Sequence, residues 1–353
     1  MSKYIKNFKF NLQRFADPYG NINKTTDAGM AADQQEYYNA QLLRYTTPDL
    51  YYLQFAKKVP FPKGNGKTAR FRRLKPYAAA TTPLTEGVTP AGKKAIWEDL
   101  TAPMEQYGDY TTITDRVVTE SLDPQVIELS RNHGNQQALT LDTVTRDQVI
   151  SDEEVVNVCF PPTSGGTAVF ARDDLDETCN MTPTFISYIK TILKKNGAKR
   201  FGSEYVAIIH PDIEHDVTTH GKFVSIAEYA APRRIFAGEI GELYGVRFVV
   251  SPNAKVWRDN TCPSYTEDEE TKYLAVYGCI FFGVDAYAAI EITKEHSGMI
   301  IKQVGAGGSE DPLNQRGSIG WKNDGFVAKV LNGLHIVTAE VCSKDFSKIT
   351  EAN

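Results

Sequence analysis

Residues 52–90 read YLQFAKKVPFPKGNGKTARFRRLKPYAAATTPLTEGVTP. The first half of this stretch is basic: between Lys57 and Lys75 there are eight lysines and arginines and no acid. Over Thr68–Leu74 charged and apolar side chains alternate, the pattern of an exposed strand. Thr81–Pro90 is a Thr/Pro loop, and a second extended run follows over Trp97–Thr114, carrying Met104, Tyr107, Tyr110 and Ile113. Two extended runs about a loop rich in proline and glycine predict a long hairpin over about 56–115. Its apolar content is too low for it to stand alone in water, so it must lie on something.

On the N-terminal side, residues 1–50 are polar and rich in Asn, Gln, Tyr and Thr, with a short apolar patch at Phe8, Phe10, Leu12 and Phe15. Such a segment predicts an arm that orders only against a partner. On the C-terminal side, Asp123-Pro124 pairs a capping carboxylate with proline at the first helical position. A helix is expected from there to about Val149, with Ile127, Ala138, Leu141 and Val144 facing inward. From about residue 182 the rhythm becomes mixed. Thr182-Pro183 opens a helix closed at Gly197. Strands are expected over Tyr205–Ile209, Val246–Val250, Tyr273–Val284 and Ala288–Thr293. One or two short helices fall within Pro211–Tyr229, and one long apolar β run occupies Phe326–Cys342.

The chain has 353 residues, above the roughly 250–300 at which a single core stops growing, so one or two lobes plus extended segments are expected. It is 41% hydrophobic and 24% charged with a net charge of −5, which does not suit a dedicated nucleic-acid binder. The five cysteines, at 159, 179, 262, 279 and 342, fit neither a disulfide framework nor a zinc ribbon and read as buried or idle thiols. No apolar segment follows the lysines at 3, 6 and 9, so no signal peptide is read, and the longest apolar run, Tyr273–Val284, falls short of the ~20 residues a spanning helix needs.

Motifs with catalytic meaning are weak. Pro62–Thr68 resembles a phosphate loop, but Phe61 stands where its first glycine belongs. His210, His215 and His220 recur every five residues, whereas helical ligand pairs want three or four. They read as helix-start and surface histidines, with a metal-dependent enzyme built on His210 and His215 as the competing reading. Gly305–Gly308 reads as a surface loop. No cofactor, metal or catalytic residue is assigned, and the chain is not read as an enzyme.

Charge is unevenly spread. Residues 1–80 carry 14 basic and 5 acidic side chains, whereas 115–154 carry nine acids and three arginines. A basic hairpin beside an acidic helix suggests two surfaces that meet, with charge setting register and encounter. If the helix belongs to another copy, the contact is heterologous and propagates into rings or shells. Two other readings stay open on the residues alone: an ordinary solvated hairpin within one subunit, and a nucleic-acid contact through Arg70, Arg72, Arg73 and Lys75 with Phe71 stacking.

The stretch 52–90, together with QYGDYTTITD (106–115), AIIHPDI (207–213), GELYGVRFVVSPNA (241–254), YGCIFFGVDAYAAI (277–290) and DPLNQRGSIGWKNDGFVAKVLNGLHIVTAEV (311–341), resembles the tailed-bacteriophage major capsid proteins of the Hong Kong 97-like fold, specifically the podovirus N-four type. The resemblance spans about residues 50–341. It implies an α+β fold with an N-terminal arm over 1–55, an extended E-loop hairpin over 56–115, and a peripheral P-domain with a long spine helix over 116–181. An axial A-domain with a central sheet over 182–297 follows, and C-terminal strands over 298–353 return to the P-domain. It further implies self-assembly into hexamers and pentamers of an icosahedral head around double-stranded phage DNA held non-specifically. Portal, scaffolding or decoration proteins would be further partners, no membrane would be involved, and the chain would reside in the virion and, during assembly, the host cytoplasm. In this fold the E-loop lies over a neighbour's P-domain. The expected contact sets Lys63, Lys67, Arg70, Arg72, Arg73 and Lys75 against Glu120, Asp123, Glu128, Asp142, Asp147, Asp152, Glu153 and Glu154. No cross-link is predicted through Lys93 or Lys94.

Overall fold

Seven consecutive buried residues, Val276–Phe282, form the strand about which most of the molecule is arranged. The structure, a computed structural model, describes residues 51–61, 66–75, 77–120, 125–219, 224–225, 239–267, 270–292, 298–306 and 311–353. The strands are β1 (Lys57–Phe61), β2 (Thr68–Leu74), β3 (Trp97–Pro103), β4 (Glu105–Thr114), β5 (Val158–Cys159), β6 (Tyr205–Ile209), β7 (Val224–Ser225), β8 (Glu239–Leu243), β9 (Val246–Val250), β10 (Val256–Trp257), β11 (Ser264–Glu267), β12 (Glu270–Tyr273), β13 (Val276–Phe282), β14 (Tyr287–Ile292), β15 (Gly298–Lys302), β16 (Arg316–Val330) and β17 (Ile336–Val341). The helices are α1 (Asp115–Glu120), α2 (Gln125–Ser151), α3 (Pro183–Lys195) and α4 (Pro211–Thr218).

Two sheets carry the fold. One has eight strands in the order β5-β17-β13-β6-β9-β8-β7, with β10 added beside β13. The other has five, in the order β1-β14-β16-β15, with β4 also paired to β16. Strand β13 is apolar throughout because both of its faces are covered, as for the inner strands of a doubly covered sheet. Tyr277, Cys279 and Phe281 pack with Phe185, Ile186, Ile189 and Leu193 of α3, while Ile280 and Phe282 pack with Leu141 and Val149 of α2. Helix α3 forms as expected: the Thr182 hydroxyl accepts from the Phe185 amide, Pro183 is the first helical residue, and Gly197 just past the end has φ of 72°.

Helix α2 has 27 residues, about 40 Å at 1.5 Å per residue. Its inward stripe differs from expectation. Ala138 and Leu141 are buried and Val144 is half-buried, but Ile127 is exposed, and the stripe is completed by polar side chains: His133, Asp142, Thr145 and Arg146. The Arg146 guanidinium donates to the Asn253 carbonyl (2.9 Å) and to Asn353 Oδ1 (3.3 Å), tying the helix to the segment that follows β9 and to Asn353.

Four expectations change. The paired hairpin is short, β2 against β3 only, with Thr68 opposite Pro103 and Leu74 opposite Trp97. Its expected flanks belong to the five-stranded sheet: β1 runs parallel to β14 and β4 antiparallel to β16. The apolar run 326–342 is two strands in different sheets, broken at Leu331–His335. Strand β17 therefore lies in the larger sheet rather than returning with β15 and β16. Tyr52, Leu53 and Phe55, expected at the end of an arm, are buried in the core. Residues 1–50, the Asp123-Pro124 helix start and His220 lie outside the described residues.

Candidate assembly surface

The hairpin acquires its charge pattern from strand pairing. Register sets Arg72 opposite Asp99 and Arg73 opposite Glu98, the cross-strand arrangement in which opposite charges attract. Arg72 Nε lies 2.9 Å and Arg70 Nη1 3.9 Å from the Asp99 carboxylate, and Lys75 Nζ lies 3.7 Å from Glu98. Arg73 Nε donates to Glu98 at 2.7 Å; this bond holds the Glu98 carboxyl below its usual range and raises the guanidinium. The guanidinium of Arg72 also sits 5.8 Å from the Trp97 ring centroid. The basic set is thus partly neutralised by acids two dozen residues away, which a charge count over 57–75 misses. Lys67 is exposed at the base of the hairpin, and Lys63 lies outside the described residues.

Beyond the strands, residues 77–96 are all exposed. Leu84 is 77%, Val88 62% and Ile96 58% accessible, and Trp97 adds a large apolar ring at the strand end. Within this loop the backbone bond from Val88 to Thr85 and the bond from Lys93 Nζ to the Ala78 carbonyl (3.2 Å) provide local order. These apolar side chains have no core of their own beneath them.

The acids expected on one docking face fall into three groups. Asp142 and Asp152 are interior. Asp142 accepts from the Tyr52 amide at 2.8 Å and from Asn253 Nδ2 at 3.2 Å, and burial pushes its carboxyl up to about 6. Asp152 is paired to Lys329 at 2.8 Å; burial pushes its carboxyl up, but the Lys329 bond and neighbouring donors outweigh burial and leave it below its usual range. Neither is presented to a neighbour, because each sits on the inward stripe of α2 or at its buried end. Glu154 is taken by Arg73 of the same chain at 3.4 Å. Glu128, Asp147 and Glu153 are exposed; Glu128 lies 3.6 Å from Arg131 and Asp147 2.8 Å from Arg146. The Glu120 side chain and Asp123 are outside the described residues.

Beside these exposed acids, α2 and β4 enclose an open groove of about 460 Å³ lined by Asp109, Thr111, Asn132, His133, Asn135, Gln136 and Leu139. Its polar wall is fixed by a chain of bonds: Trp321 Nε1 donates to Gln136 Oε1 at 3.1 Å, and Gln136 Nε2 donates to Asp109 at 2.6 Å. That last bond holds the Asp109 carboxyl below its usual range. Composition gave no hint of this groove; the i, i+3, i+4 spacing of Asn132, Asn135 and Gln136 is the one signal for it in the sequence.

The competing chemistry finds little support. His210 caps α4, accepting from the Asp212 amide at 3.2 Å, and burial lowers its pKa. It is not part of the one trio among the described residues with metal-ligand geometry, His215, Asp216 and Asp345, in which two members are exposed. Burial raises the thiol pKa values of all five cysteines, Cys179 to about 11, opposite to the shift that activates a nucleophile. Lys67 leads into strand β2, not into the helix a phosphate loop requires. No described helix is long and apolar enough to cross a membrane.

No family model and no curated protein matches the chain. Solved structures do. The capsid of Ralstonia phage GP4 aligns with a TM-score of 0.57 at 12% identity, covering 85% of this chain and 92% of that one. The capsid of cyanophage Pam1 aligns at 0.56 and 14%, covering 81% and 89%. The SrpI encapsulin complex of Synechococcus elongatus PCC 7942 aligns at 0.52 and 10%, covering 87% and 92%. The chain therefore has the Hong Kong 97-like capsid fold, an α+β fold shared by phage capsids and this encapsulin. At these identities the likeness is one of fold.

Proposed function

We propose that this chain is a tailed-phage major capsid subunit, of the podovirus N-four type, that assembles into hexamers and pentamers of an icosahedral head around phage DNA and has no catalytic role. The observation that carries this reading is the 77–96 loop: twenty consecutive exposed residues, with Leu84, Val88 and Ile96 uncovered, on a two-stranded hairpin that has no core. An isolated hairpin is marginal in water, and exposed apolar clusters mark interaction surfaces. The capsid fold supports the same reading, as do the sequence motifs spread over residues 50–341.

In this reading the hairpin of one copy lies over α2 and β4 of the next. Arg70, Arg72 and Lys75, exposed at 65%, 63% and 60% of their side chains, are the cationic side of the contact, with Lys63, Lys67, Lys93 and Lys94. Glu128, Asp147, Glu153 and Asp109 are the anionic side, and Glu120 and Asp123 remain candidates. Such a contact is heterologous and closes into rings and shells. Portal, scaffolding or decoration proteins would complete the particle, which would assemble in the host cytoplasm.

Charge reversal at Arg70 and Arg72, with Lys75 reversed alongside, tests this. The expected result is a folded subunit with an unchanged circular dichroism spectrum that forms no shells. Shells of normal size from the triple variant would remove the basic side of the contact.

A further inference from the structure

Arg73 differs from the other basic residues of the hairpin. Its guanidinium spans three elements: Nε to Glu98 on β3 (2.7 Å), Nη1 to the Leu331 carbonyl just past β16 (2.9 Å), and Nη2 to Glu154 just past α2 (3.4 Å). Among the described residues, every hydrogen bond and ion pair between strands β2–β3 and the rest of the chain runs through this one side chain. Elsewhere the same face of the hairpin is covered through apolar side chains: Ala69 and Ala102 face each other near the base and are 3% and 1% accessible, and the next pair on that face, Phe71 and Leu100, is half-buried. A short apolar face running out from the base, with one polar tie four residues beyond Ala69, describes a lever with a single polar catch.

We propose that Arg73 is an intrachain latch rather than a docking residue: it fixes the angle at which the hairpin leaves the body, and thereby where the 77–96 loop can reach. A planar fork suits this task. One guanidinium can serve two carboxylates and a carbonyl at once, whereas a lysine offers a single compact charge. Glu154 follows the spine helix directly and Leu331 lies in the turn between the two sheets, so the latch reads the relative position of helix, sheets and hairpin. A shell built from one chain in hexamers and pentamers needs that angle to vary between sites, and a half-buried latch of modest strength can be released without unfolding anything. This consequence rests on the shell reading above; the latch itself is a property of the single subunit.

The test is a pulsed dipolar distance measurement on the full chain. Spin labels are placed at Thr85→Cys and Ser151→Cys in a Cys159→Ala background, with labelled chain diluted into unlabelled chain so that only intrachain distances are read. The expected result is a narrow distribution in the otherwise native chain, which broadens in both Arg73→Ala and Glu154→Gln. The released population should rise about fivefold, the effect expected for loss of one partly exposed ion-pair tie. Arg70→Ala, which alters only the pairing inside the hairpin, leaves the distribution narrow. Unchanged distributions in Arg73→Ala, or equal broadening in Arg70→Ala, overturn the latch. Thermal unfolding of each variant distinguishes a swung hairpin from an unfolded one: the latch reading requires the transition to stay cooperative, and its loss in Glu154→Gln as well as Arg73→Ala makes the tie a general structural support instead. If the native chain forms no shells, the shell reading fails while the distance result still decides the latch.

Discussion

Asp142 shows how a residue counted as surface charge becomes a structural acceptor. It sits in the interior of α2 with 1% of its surface accessible, receives the Tyr52 amide and Asn253, and has its carboxyl pushed up to about 6 by burial. Because the folded carboxyl binds its proton more tightly than the unfolded one, its protonated form stabilises the fold below about pH 4. That contribution is lost as pH rises through about 6, a difference on the order of 2–3 kcal/mol. Asp142→Asn keeps an acceptor for Tyr52 without the charge. Its melting temperature should exceed that of the native chain at pH 8 and match it near pH 4, in thermal scans across that range. An Asn variant less stable at both pH values would show that the carboxylate form is the one the site prefers. Asp142→Ala leaves the Tyr52 amide without its partner and should cost about 1–3 kcal/mol at either pH. Burial of Asp142 was legible in outline: Ala138, Asp142, Thr145 and Val149 recur at helical spacing, and all four are buried. A count of acids over 115–154 discards that spacing and so misassigns the residue.

Among the elements, those held by local signals were the readable ones. Helix α3 carries its cap, its proline and its terminal glycine within the segment, and strands β6, β9 and β14 are short runs bounded by turn residues. What sequence misjudged was decided at long range. The hairpin reads as basic in sequence because its acids, Glu98 and Asp99, stand on the other strand, some 25 residues away. The run 326–342 reads as one strand because both halves are apolar; only the Asn332-Gly333 turn marks the change of sheet. Gly333 is there because a side chain has no room: a Cβ at this position would overlap the Glu154 carbonyl oxygen, a backbone atom that cannot move aside. Gly333→Ala should therefore push the β16–β17 turn off the end of α2 and destabilise the chain by several kcal/mol, read from urea unfolding, among the largest losses for a single methyl group. The same substitution should disturb the Arg73–Glu154 tie, which shares this corner. A midpoint within experimental error of the native chain would mean that helix end and turn are not packed as described.

For the whole molecule, the fold was more legible than the contact surface. Six ordered motifs spread over residues 50–341 indicated the capsid fold, and the two sheets, the long helix α2 and the protruding hairpin realise it. The docking partners were not legible, because a docking face depends on which charges the subunit keeps for itself: Asp142, Asp152, Glu154 and Arg73 are all used within the chain. The outward charges and the apolar loop side chains are what the proposed contact with a second copy would use. The most direct measurement is electron microscopy of negatively stained particles from the expressed chain, beside those from Leu84→Asp/Val88→Asp, two substitutions at positions with no neighbour in the subunit core. The account requires closed hollow icosahedral shells from the native chain and folded, unassembled subunits from the double variant. Monodisperse single subunits from the native chain, or normal shells from the double variant, would contradict it.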